Sequence, residues 1–124
     1  MRFYDWNTIE RKEITESYAR KLARGENLTL ARVEVMRGAV TLPHHHDSEE
    51  VILVLKGAWQ FHLPDGDVTV RENQLLSIPP GVEHASEALE DTLALDISLA
   101  IRSDWIDGGD HHLHHDPDDY LWAV

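Results

Sequence analysis

From Ile14 onward, apolar residues recur at alternate positions in short stretches separated by turn signals. Ala31, Val33 and Val35 alternate with Arg32 and Glu34, and Trp59, Phe61 and Leu63 alternate with Gln60 and His62. A period of two is the signature of a strand with one face buried. The continuous run Val51–Leu55 reads as a buried strand. Arg24-Gly25-Glu26-Asn27 is placed to turn Ile14–Leu22 back onto Leu28–Val35, and Gly38 marks another turn. Pro64-Asp65-Gly66-Asp67 predicts a hairpin into Val68–Val70, and Asn73 tolerates the positive φ of a tight turn. Leu75–Ile78 leads into Pro79-Pro80-Gly81, and Thr92–Leu99 closes the series. In that last stretch Asp96 and Ser98 share one face, while Leu93, Leu95, Ile97 and Leu99 face the other way into apolar packing. Residues 5–13 read as a helical turn or an irregular lead-in. Short strands at this spacing predict an all-β sandwich or barrel.

Polar chemistry concentrates at Thr41–Gly57, TLPHHHDSEEVILVLKG. On a helix, His44 and His46 would point roughly 200° apart and could not share an ion. On a strand, alternate side chains share a face with origins about 6.6–7 Å apart. Leu42-Pro43 biases the chain toward extended backbone. His44, His46 and Glu50 then share a parity and face one way, whereas His45 points elsewhere, exposed or behind the others. A slipped or bulged strand would substitute Glu49 for Glu50. His84 follows 38 residues after His46. Neutral imidazoles with a carboxylate suit one divalent ion per chain: Fe, Mn, Zn, Ni or Co. Three histidines and a glutamate leave one or two coordination positions open, as a catalytic metal requires. His62 is placed equally well to line a barrel or to be exposed, and Trp59 and Phe61 read as core.

Composition narrows the function classes. A chain of 124 residues is one domain with room for a proper core. The net charge of −12 argues against nucleic acid and anionic membrane as partners. Half of it sits at one end: residues 103–124 hold Asp104, Asp107, Asp110, Asp116, Asp118 and Asp119 with no Lys or Arg, so −6 of the −12 falls there. With no cysteine there is no disulfide and no thiolate ligand or nucleophile. No apolar run approaches membrane-spanning length, and the first residues lack the hydrophobic stretch of a signal peptide, so a cytoplasmic location is expected. The alternating pattern ends at Gly108-Gly109, which predicts a barrel domain over 1–109. The acidic, His-rich tail over 110–124 reads as solvated, with a second metal site or a docked tail as the alternatives.

These residues resemble the cupins, small β-barrel proteins whose first motif is G-x5-H-x-H-x3-4-E-x6-G. Gly38, His44, His46, Glu50 and Gly57 fit every spacing. The second motif, G-x5-P-x-G-x2-H-x3-N, is matched by Asn73, Pro79, Gly81, His84 and Ala88, with Asn73 and Ala88 replacing its two ends. The resemblance implies a jelly-roll barrel (a double-stranded β-helix), with His44, His46, Glu50 and His84 as metal ligands.

A narrower resemblance lies in EDTLALDISLAIRSDW. It is similar to the end of the barrel in small cupins of pectin and alginate degradation, which linearise 4,5-unsaturated uronates. Their Asp-x-Phe-x3-Arg corresponds to Asp96, Ser98 and Arg102, followed by Asp104-Trp105. The chain departs from that group at Ser98, where the aromatic belongs, and at Glu50, where Gln is frequent. The resemblance implies a homodimer that isomerises or ring-opens a small sugar or carboxylic acid. Asp96 would transfer a proton and Arg102 would hold the substrate carboxylate. Two rivals remain at this point, a non-haem iron dioxygenase and a non-catalytic small-molecule sensor.

Overall fold

Alternation becomes strand nearly everywhere the sequence predicts it. The computed structural model describes residues 1–101 and Trp105. Among them are the strands β1 Lys12–Thr15, β2 Tyr18–Arg24, β3 Thr29–Val35, β4 Val40–His44 and β5 Glu50–Lys56. They are followed by β6 Ala58–Leu63, β7 Gly66–Arg71, β8 Leu75–Ile78, β9 His84–Ala88 and β10 Thr92–Ser98. A six-stranded sheet has the order β1-β2-β3-β10-β5-β8, and a four-stranded sheet has the order β4-β9-β6-β7. All pairings are antiparallel. The two sheets form the jelly-roll barrel expected from the sequence. No helix among the described residues is long and apolar enough to cross a membrane. Arg102, Asp104 and the expected domain boundary and tail over 110–124 lie outside the described residues.

The inner faces of the sheets make the core. Val33, Ile52, Val54 and Ala94 from the large sheet meet Trp59, Phe61, Val70 and Ala88 from the small one. Burying each large apolar side chain contributes about 1.5–3 kcal/mol, a contribution that does not depend on an ion. Gly57 sets the β5–β6 corner at φ +105, where a Cβ would lie 2.5 Å from the Asp91 carbonyl oxygen. Asn73 turns β7 into β8 at φ 66, as its residue type predicts.

Three local expectations need correction or refinement. Ile14–Leu22 is two strands rather than one, because the Ser17 amide bonds the Thr15 hydroxyl at 3.2 Å and the chain reverses there. Leu93, Leu95 and Ile97 do lie opposite Asp96 and Ser98, but they are only partly covered, and Leu99 is half exposed. Near the start of the chain the helical-turn reading is the right one. The Asp5 carbonyl accepts hydrogen bonds from the Thr8 and Ile9 amides, and its carboxylate accepts one from the Asn7 amide.

Candidate metal centre

Pro43 cannot donate a backbone hydrogen bond, so β4 cannot pair evenly with β9 through it. The register shifts between Thr41 and His44, and His44 then pairs with His84, the first residue of β9. That irregularity puts both Thr41 and His44 on the inner side, although their parity in a regular strand would separate them. The unbroken strand assumed for His44–Glu50 is therefore replaced by a bulge and a loop. The loop over 45–49 is pinned from two sides: the Gly81 amide donates to the His46 carbonyl at 2.7 Å, and the Leu99 amide donates to the Glu49 carbonyl at 3.1 Å. The Ser48 and Ser98 hydroxyls add a contact at 3.0 Å. His46 is held in place by these ties rather than by strand parity.

The three imidazoles converge. Ring centroids are 4.3 Å apart for His44 and His84, 4.8 Å for His44 and His46, and 5.3 Å for His46 and His84. One ring nitrogen from each lies within 4.8 Å of the others, a spacing that can hold a metal ion. Glu50 Oε1 approaches His84 Nε2 at 3.1 Å and His46 Nε2 at 3.7 Å. The Glu49 carboxylate instead accepts a hydrogen bond from the Ser77 hydroxyl at 3.1 Å. The structure thus brings Glu50 to the histidines and sends Glu49 away. His45 is exposed, and so is His62, which pairs with Asp67 at 2.8 Å outside the barrel.

Hydrogen bonding prepares two of the rings for a cation. His44 Nδ1 lies 2.6 Å from the Leu42 carbonyl, and His84 Nδ1 lies 2.9 Å from the Val82 carbonyl. A carbonyl only accepts, so Nδ1 carries a proton in both rings; neutral His44 keeps its lone pair on Nε2, while His84 Nε2–H donates to Glu50 until a metal takes that proton's place. Metal-ligating histidines are oriented in this way. Burial, reinforced by the neighbouring His84, pushes His44 down to about 3, so its ring is neutral at ordinary pH. Burial works to raise the Glu50 pKa, but hydrogen bonds with His84 and Asp96 outweigh it and hold the carboxyl below its usual range. Three imidazoles beside an ionised carboxylate make a donor set that fits a divalent transition metal, whose binding displaces the proton between His84 and Glu50.

These shifts give a pH dependence with a definite sign. Unfolded, His44 takes a proton near its ordinary value of 6.5; folded, it resists protonation down to about 3. Acid therefore favours the unfolded chain across that interval. The lowered Glu50 pKa acts in the same direction below the usual carboxylate range. Metal-free protein should melt at progressively lower temperature as pH falls from 7 to 5, and His44→Gln should flatten the trend. A melting temperature independent of pH over that interval in the parent would contradict it.

A small cavity open to solvent is lined by His44, His46, His84, Glu50 and Asp96. Asp96 is 6% exposed and faces inward from β10. Glu50 pairs with Ser98 and Asp96 pairs with Ile52, which makes the two acids diagonal neighbours on adjacent strands. β10 ends at Ser98, so the unbroken strand needed to put Asp96 and Arg102 on one face by parity does not extend that far. Sequence reasoning missed Thr41 and Ser86, which line the cavity and share a 2.6 Å hydroxyl contact. Ser86 has the parity of His84 and was legible from it; Thr41 was hidden by the bulge. Tyr18 and Trp105 complete an aromatic side of the cavity.

Residues 31–99 match the family described as "Cupin domain". No curated protein matches the chain in sequence. Among solved structures the chain is similar to KdgF from Halomonas sp., with 25% identity and a TM-score of 0.78 over 84% of this chain and 99% of that one. It is also similar to an RmlC-like cupin from Shewanella frigidimarina, with 18% identity and a TM-score of 0.78 over 85% and 96% of the two chains. Ectoine synthase from P. lautus matches at 12% identity and a TM-score of 0.76 over 89% and 87%. At these last two identities the likeness concerns the fold.

Proposed function

Starting from the chain's membership of the cupin family, we propose that it is a metal-dependent isomerase that opens the ring of a small unsaturated sugar acid. The observation that carries this reading is the convergence, in one open cavity, of three histidines, Glu50 and a second buried acid, Asp96. The likeness to KdgF stands beside the resemblance of Asp96 and Arg102 to the uronate-linearising cupins.

His44, His46, His84 and Glu50 would hold the ion, which when bound supplies Lewis acidity toward substrate oxygens. The chain's own groups then handle the proton. Two carboxyl groups in hydrogen-bond contact share a proton between them, and Asp96, the acid not assigned to the ion, would be the one to pass it on. In the ring opening, the C1 hydroxyl loses its proton and the bond from C1 to the ring oxygen breaks. The electron pair goes to that oxygen, and the resulting enolate is protonated at C4. Nothing is gained or lost overall, so the step is an isomerisation, and Asp96 is the group placed to deliver the proton. Arg102, by the same resemblance, would grip the carboxylate through a bidentate contact. A net charge of −12 opposes an anionic substrate, but charges inside a low-dielectric pocket outweigh distant screened ones.

The test is to follow a 4,5-unsaturated monouronate by NMR with metal-loaded protein. The expected result is faster formation of the open-chain keto-aldehyde, without oxygen consumption. Oxygen-dependent turnover would favour the dioxygenase reading, which the same ligand set also fits. Binding without turnover would favour a sensor.

The homodimer belongs to the same proposal. Leu95, Leu53 and Leu75 lie in register on the outer face of β10, β5 and β8, beside Ile97 and Val51. Leu75 is 63% exposed, and a contiguous apolar patch of this kind suits a second copy of the chain. Light scattering should give twice the chain mass for the parent and the single-chain mass for Leu53→Glu/Leu95→Glu. A monomeric parent would remove the dimer from the account.

A further inference from the structure

Trp59 is 2% exposed and lines the same cavity as the histidines, from the sheet facing Asp96. Its Nε1 is buried without a hydrogen-bond partner. The strands beside it offer no side-chain acceptor in register, because Trp59 pairs with Val70 on β7 and Ala88 on β9. The ring is braced by Phe61, at 4.9 Å between centroids and 53° between planes. A buried indole N–H ordinarily finds an acceptor, since leaving one unmade is costly. The indole is part of the cavity wall with Val70 and Ala88 on the strands beside it, and an acceptor that arrives with the ligand would satisfy its N–H.

Building on the sugar-acid reading above, we propose that the Trp59 indole N–H donates a hydrogen bond to a ring hydroxyl oxygen of the bound acid. The site thereby selects polyhydroxylated acids over plain keto acids of the same charge. The carboxylate and the reacting oxygens already have proposed partners in Arg102 and the ion, so the remaining acceptors on a sugar acid are its ring hydroxyls. A donor left unpaired by a ligand that lacks the hydroxyl penalises that ligand, which is how hydrogen-bonding sites discriminate strongly.

The experiment is isothermal calorimetry of metal-loaded parent and Trp59→Phe with D-glucuronate and with pyruvate, alongside metal content and melting temperature. Phenylalanine keeps an aromatic ring against Phe61 but removes three heavy atoms along with the donor, so the melting temperature and the pyruvate arm separate lost packing from the lost hydrogen bond. The expected result is glucuronate binding weakened about five- to tenfold with pyruvate binding unchanged. Should the variant fold poorly, ¹⁵N-tryptophan labelling of the parent gives the same answer. The indole resonance with contacts to the Phe61 ring should move downfield with glucuronate and stay in place with pyruvate. Unchanged glucuronate affinity in a folded variant, a stationary indole resonance, or no glucuronate binding by the parent would each overturn the assignment. If the donor effect is present but no unsaturated uronate is turned over, the isomerase reading fails while the role of Trp59 stands.

Discussion

His84→Ala and His46→Ala lower the affinity for a divalent ion by at least about 100-fold and leave a folded barrel. Losing a group that merely orients a ligand typically costs 10- to 100-fold, and losing the ligand itself costs more. His84 is 3% exposed at the head of β9, with its Nδ1 proton on the Val82 carbonyl. An alanine there supplies no donor, and the other β9 side chain on the cavity wall, Ser86, is hydrogen-bonded to Thr41. The fold survives because core residues such as Val33, Val35, Val54 and Val70 are not part of the cavity wall. His45→Ala is the control, since His45 is exposed between the two cluster histidines of its loop. Titration with Zn²⁺ or Mn²⁺, with circular dichroism for the fold, reads all three variants. Equal loss in His45→Ala would mean that the loop presents a different set of ligands.

Asp96→Asn abolishes nearly all turnover while metal binding and fold are kept. The substitution is isosteric and leaves the ligands alone, so any metal effect is indirect. It removes an acid hydrogen-bonded to Glu50 on the cavity wall, and a positioned acid or base contributes about 10²–10⁴-fold to rate. The loss should fall on kcat rather than KM, because the proton is needed at the barrier and not for binding. Steady-state kinetics on a 4,5-unsaturated uronate decides it. Parent-like kcat in the variant would make Asp96 a structural strand acid and take the proposed proton route with it.

The barrel was legible because alternation and turn residues agreed at every level. Thr92–Ser98 shows strict period two, and Pro64-Asp65-Gly66-Asp67 and Asn73 turn where their chemistry requires. The histidines are legible through spacing, although strand parity alone does not bring them together. Parity on one extended strand places His44, His46 and Glu50 together, whereas the chain uses a bulge at Pro43 and a loop tied to Gly81 and Leu99. Long-range hydrogen bonds of that kind leave no local signature. The choice of Glu50 over Glu49 was likewise set by a distant group, since Ser77 on β8 claims the Glu49 carboxylate. The cavity role of Trp59 was hidden because an inward aromatic on a strand looks the same whether it packs a core or lines a pocket.

Elemental analysis of the protein purified without an affinity tag or a metal-chelate column tests the central claim most directly. That precaution removes nickel scavenged by His111, His112, His114 and His115. The expected result is about one divalent transition-metal ion per chain, retained in His45→Ala and absent from His84→Ala prepared in the same way. A parent that neither contains nor takes up a divalent ion, or a stoichiometry that His84→Ala leaves untouched, would contradict a metal centre built from His44, His46, Glu50 and His84.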